Sequence, residues 1–170
     1  MAKLEREALM HYLDSTFKKA ADTADWVILG DDIEEMSVEL SPDPEQKKNI
    51  LGNTKTTDNG YTPSMSADPF YADPSSKLYT KLRDIALNRQ KGDECRTLML
   101  EVIVEDTVAE KHLAYVQEVM VKPQSYGGDT AGINIPFDVS DDGKRTKGYV
   151  TAASLKTGKP EFTEGEIVAA

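Results

Sequence analysis

"CRTLMLEVIVED", Cys95–Asp106, sets Leu98, Leu100, Val102 and Val104 at alternate positions, with Met99, Glu101, Ile103 and Glu105 between them. Successive side chains of a strand point to opposite faces, so this period of two reads as a β-strand. "HLAYVQEVMVKP", His112–Pro123, repeats the alternation and stops at a proline, which has no N–H to continue a ladder. "GINIPFDV", Gly132–Val139, puts Ile133, Ile135, Phe137 and Val139 on one face. "SDDGKRTKG" then reads as a hairpin turn around Asp142-Gly143, with "YVTAAS", Tyr149–Ser154, as the returning strand. The second half of the chain is therefore a run of strands joined by hairpins.

Working outward from this block, one helix precedes it. Asp73 suits an N-cap, Pro74 the first helical position and Gly92 the exit, so the pattern predicts a helix over 74–91. Leu78, Leu82, Ile85 and Ala86 form its apolar stripe, and Arg89 and Lys91 suit its negative end. Toward the N-terminus, Ala8–Phe17 fits neither period well and is read as a strand. "WVILG", Trp26–Gly30, reads as a buried strand. "DDIEEMSVELSPD" reads as a half-buried strand with Met36, Val38 and Leu40 on one face and Glu35, Ser37 and Glu39 on the other. The expected fold is mainly β: an antiparallel β-sandwich or open barrel with one flanking α-helix and a long extended loop.

That loop is the segment 41–73, well beyond the ~12–15 residues usual for a structureless connection. It contains "DNGYTPSMSADPFYAD", Asp58–Asp73, with Tyr61, Met65, Phe70 and Tyr71 and no hydrophobic period. Plain disorder is poor in such residues, so the segment reads as functional or as an arm that orders on a partner, the other reading being that 58–73 packs back onto its own sheet. The domain is placed at 1–154, with a polar, extended C-terminal tail at 155–170.

Thirty acidic against twenty basic residues give a net charge of -10, which opposes binding to a nucleic-acid backbone or an anionic membrane surface. The start, "MAKLEREALM", has no long apolar stretch and reads as cytoplasmic rather than secretory. A single cysteine, Cys95, excludes an internal disulfide and reads as a small buried hydrophobe. His11 and His112 sit in no metal-binding spacing, and no nucleophile elbow is present. "SYGGDTAG", Ser125–Gly132, precedes a β segment rather than a helix, so it reads as a turn or bulge needing positive φ at Gly127 or Gly128, not a phosphate loop. No catalytic, metal or cofactor chemistry is expected. Strand edges and an arm point instead to assembly.

Three blocks carry a resemblance: "WVILGDDIEEMSVELSPDPEQKKNILG", "DNGYTPSMSADPFYADPSSKLYTKLRDIA" and "VKPQSYGGDTAGINIPFDV". Together, over roughly Trp26–Thr151, the chain resembles the major tail tube protein of long-tailed, non-contractile bacteriophages and prophages of Gram-positive bacteria. The resemblance implies a structural virion protein whose six-membered rings stack into a tube for DNA delivery. It implies as partners further copies of the chain, a tape measure protein, a tail-tip or distal tail protein, a tail terminator, and transiting double-stranded DNA that is not specifically bound. It implies the virion tail as the location, after assembly in the host cytoplasm. On this reading Tyr61, Met65, Phe70 and Tyr71 anchor the arm in a neighbouring subunit. Glu35, Glu39, Glu101 and Glu105 are the expected lumen-lining acids, keeping the duplex centred by repulsion. Two other readings stand beside it: the inner tube of a contractile particle, and a monomeric β-sandwich binding module.

Overall fold

The computed structural model describes residues 3–108 and 110–168, the side chains of 106–108 excepted. After a short 3-10 turn, Arg6–Ala8, the chain forms β1 (Leu9–Asp14), β2 (Trp26–Leu29), β3 (Val38–Glu39), β4 (Pro44–Lys48), β5 (Thr54–Asp58) and β6 (Ser64–Ala67). Helix α1 (Lys77–Leu87) leads through a second 3-10 turn into β7 (Arg96–Val108), β8 (Lys111–Pro123), β9 (Gly127–Asp129), β10 (Gly132–Asn134) and β11 (Phe137–Thr151). Helix α2 (Ala152–Lys156) and β12 (Phe162–Glu164) close the described chain. Eight strands make one antiparallel sheet in the order β2-β1-β7-β8-β11-β6-β3, with β12 also on β11. It is the mainly β, open-barrel architecture expected, with one main helix.

Alternation along β7 serves two cores, one on each face. Leu98, Leu100 and Val102 join Tyr12, Trp26, Ala114, Val116 and Val150. Met99 joins Leu13, Val119, Val121, Phe137 and Val139, and here α1 lays Leu78 and Leu82 on the sheet. The face opposite α1 is covered by the 15–25 loop and by Leu155 and Phe162 from the C-terminal segment. Asp14 ties that loop down: its buried Oδ1 accepts from Thr16 N (2.9 Å), Thr16 Oγ1 (2.8 Å) and Asp25 N (3.2 Å). Thr97 Oγ1 donates to the Asp14 carbonyl at 2.7 Å, joining the loop to β7.

Several expectations change, among them the returning strand read at 149–154, which ends at Thr151 where α2 begins. The helix spans Lys77–Leu87 rather than 74–91, and its N-cap is Ser76, whose Oγ accepts from Tyr79 N. Asp73 instead closes a turn through Ser75 N and Oγ, bonds that lower its carboxyl pKa. "WVILG" is only half-buried, with Ile28 facing solvent at 53%. The alternation over 31–43 yields just two strand residues, because Asp32 (φ 63°) and Ser41 (φ 46°) bend the backbone; Leu40 is exposed.

The Asp142-Gly143 turn is absent. β11 runs straight through it, and a bulge between Asp141 and Arg145 takes up the extra residues opposite Val119 and Gln117. β8 is long enough to pair with both halves, and Gln117 Nε2 donates to the Gly143 carbonyl at 3.0 Å. The segment after Ser154 is no free extension, since β12 pairs with Gly148–Val150. The true tight turn of this region joins β9 to β10. Gly128, on β9 just before that turn, has φ 135°, and a Cβ on it would collide with the Gly132 carbonyl.

Two outcomes follow. Asp14→Ala removes three loop bonds from a buried site and is expected to cost about 3 kcal/mol in chemical denaturation. A Cβ at Gly148 would run into the Thr163 carbonyl and the Phe162 ring. Gly148→Ala is therefore expected to release the C-terminal strand, read as faster limited proteolysis after Thr151 with the rest of the sheet intact.

Candidate assembly surfaces

Residues 41–73 are not one extended arm. β4 and β5 form a separate two-stranded hairpin, paired only with each other and exposed at every position. Asn49 shapes its apex: Oδ1 accepts from Leu51 N and Asn53 N, and Gly52 takes φ 82°. Ile50 and Leu51 stand there at 102% and 79% exposure. The hairpin has no apolar face, so hydrophobic periodicity carries no signal for it; the Asn-x-x-Gly-Asn turn is the one clue.

The second half of the segment belongs to the main sheet. Met65 is buried in the protomer's own core, on β6 between β3 and β11. Phe70 packs edge-on against Phe137, ring centres 5.4 Å apart. Tyr71 is half-buried and bridges to Asn134. Of the four expected anchors only Tyr61, 63% exposed, is open to a neighbour in this fold. The reason is local: Met65 and Ala67 alternate with Ser64 and Ser66 as a strand too short for periodicity to reveal.

The expected lumen acids do not form one group. Glu35 and Glu39 are exposed and share a shallow depression beside β6 with Ser64 and Ser66. Glu105 is exposed near the far end of β7. Glu101 is not a free charge. His11, buried on β1, places Nε2 2.8 Å from Glu101 Oε2, and Arg145 Nη2 lies 2.6 Å from Oε1. The His11 bond, with help from Arg145, outweighs desolvation and holds the Glu101 carboxyl at about 2. Arg145 also stacks 4.3 Å from the Tyr115 ring, and Lys111 4.4 Å from the Tyr149 ring. Beyond α1 this sheet face is thus cationic and aromatic around a neutralised glutamate. Asp141 sits at its rim, its pKa raised chiefly by burial.

Two open grooves flank the N-terminal segment. One, about 970 Å³, lies between β1, β2 and the 30–36 loop. The other, about 820 Å³, runs from Arg6 and Met36 past Leu40 and Tyr61 to Glu101 and Arg145. Among the described residues no cluster of three or more His, Cys, Asp or Glu is placed to hold a metal ion.

No protein-family model matches this sequence, and no curated protein sequence matches it. The fold does match solved structures. The chain is similar to one from "Tail of empty GTA particle computed with helical refinement, C6 symmetry", at TM-score 0.57 and 10% identity, covering 85% of this chain and 98% of that one. It is similar to a chain of the "anti-feeding prophage cap (AFP tube terminating cap)", at TM-score 0.52 and 9% identity, over 86% and 91%. A third, from "an Extracellular Contractile Injection System, PVC sheath/tube terminator in extended state", gives TM-score 0.52 and 11% identity, over 86% and 97%. This chain therefore has the fold of tail-particle subunits.

The His11–Glu101–Arg145 group yields a pH prediction. The folded pKa of Glu101, about 2, lies below its ordinary 4.5. Its stabilisation is complete above pH 4.5 and is lost as pH falls toward 2. Glu101→Gln is expected to cost about 2 kcal/mol near neutral pH and to flatten the acid limb of the stability curve between those values.

Proposed function

We propose that this chain is a structural subunit of a phage-type tail tube. Copies join side by side into rings, six to a ring, and the rings stack around a central channel through which DNA passes. The observation that supports this reading is the likeness to the C6-symmetric GTA tail subunit, over 85% of this chain and 98% of that one. The fold supports it physically. A curled sheet ending on β2 at one side and β3 at the other presents unpaired backbone groups that an identical neighbour can meet. A contact between unlike surfaces of identical copies closes a ring or extends a filament, depending on its rotation.

The particle class proposed is a long-tailed, non-contractile one. A tape measure protein fills the channel before ejection, and a tail-tip protein and a terminator close the two ends. Glu35 and Glu39 are the proposed acids of the channel wall, since both are exposed and neither is neutralised by a described cation. A second reading is favoured by the other two similar structures, both described as terminators of tubes: a ring that caps a tube instead of elongating it.

Electron microscopy of the concentrated, tag-free protein separates the two. Hollow tubes of many rings support the tube subunit, isolated rings support the cap, and a monomer with or without a tail-tip complex refutes both. In an infectious particle, Glu35→Lys with Glu39→Lys is expected to slow genome ejection; an unchanged ejection rate removes these residues from the channel wall.

A further inference from the structure

We infer that the β4–β5 hairpin is a knob that seats in the acidic groove between β1, β2 and the 30–36 loop of a second copy of this chain. The inference rests on the self-assembly reading and names the contact that would carry it.

The hairpin needs a partner. A two-stranded hairpin is marginal in water by itself, and this one has no buried residue and no neighbour in the main sheet. Yet its apex displays two adjacent large aliphatic side chains, Ile50 and Leu51, almost wholly in solvent. Their position at the tip of a two-strand projection suits insertion rather than flat packing.

Charge selects the partner. The distal hairpin carries Lys47, Lys48 and Lys55, and no acid lies between Gln46 and Thr57, in a chain of net charge -10. Glu45 at the base neutralises only Lys47, 3.3 Å away. The tip is thus a cationic, apolar-ended knob on an acidic protein, and another copy of that protein offers its complement. The groove is bordered by Glu5, Glu7, Asp31 and Glu34, over a floor that includes the exposed Ile28 and the half-buried Ile33. None of these four carboxylates is in a salt bridge with another described residue. The one cation in the wall, Arg6, already donates to the Leu9 and Met36 carbonyls at 2.7 and 2.9 Å.

Seating the knob buries Ile50 and Leu51 on Ile28 and Ile33 and brings three lysines to four carboxylates. Because knob and groove are different surfaces of one chain, the contact repeats from copy to copy without saturating until its rotation closes it.

The test uses the full chain in three arms. Lys47→Glu with Lys48→Glu, and separately Glu5→Lys with Glu34→Lys, are each expected to raise the protein concentration needed for assembly about thirty-fold, the scale of an interface hot spot. Combining the two sets should restore assembly. In the third arm, an Ile50→Cys copy mixed with an Ile28→Cys copy under mild oxidation should give a disulfide-linked dimer beyond that of either alone; native Cys95 is buried and stays out of the reaction. Wild-type tubes or rings together with normal assembly of both charge variants and no cross-link would overturn the knob and leave the assembly reading standing. A wild-type chain that stays monomeric and yields no cross-link overturns both.

Discussion

The pairing of β7 with β8 is the constraint on which the rest depends. Each strand is thirteen residues long, and their common register sets Leu100 against Val116 and Met99 against Gln117. A shift by one residue would send every side chain to the opposite face. Here that would be unusually damaging, because both faces are apolar over the middle of the ladder and each has its own cover. One cover is a helix with three buried positions; the other is a loop fastened by Asp14 and a C-terminal strand resting on Gly148. Neither cover has a core without the central ladder.

The same ladder outruns its covers. Past α1, the face that holds Met99 continues into Glu101, Tyr115 and Arg145, and the apolar pattern gives way to a bonded polar group. Buried His11 is tolerated there because Glu101 takes one ring nitrogen. The sheet thus changes along its length from a core wall to a surface. It combines a rigid centre with strand edges on β2 and β3 that no other strand of the sheet covers.

Strand order was harder to read than strand identity. Alternation marked 95–106 and 112–123, and the spacing of Leu78, Leu82 and Ile85 marked the helix; over 132–139 the period ran across a break, since β10 ends at Asn134, β11 starts at Phe137 and Ile133 is exposed. Boundaries failed where local signals competed. Asp-Gly at 142–143 is a good hairpin turn in isolation, but the existing β8 ladder offers more hydrogen bonds to a strand that continues with a bulge. Asp73 is a good cap, yet Ser76 holds the position because the helix begins only where Leu78 can reach the core. Met65 read as an arm anchor for a neighbour because the four residues of β6 are too few to show a period.

The sequence by itself determined the antiparallel β class, the main amphipathic helix, the buried state of Cys95 and the need for a positive-φ glycine at 127 or 128. Each is a property of local pattern, and side-chain alternation or the absence of a Cβ suffices to state it. Only the tertiary structure decided which acids are free, which aromatics are spent inside the protomer and which segment projects. Glu101 and Glu105 are equivalent on paper, but His11 and Arg145 reach Glu101 only because strands ninety and forty-four residues away in sequence come to lie beside it. Charge and burial at a surface are set by what the fold brings alongside, and that information is not local.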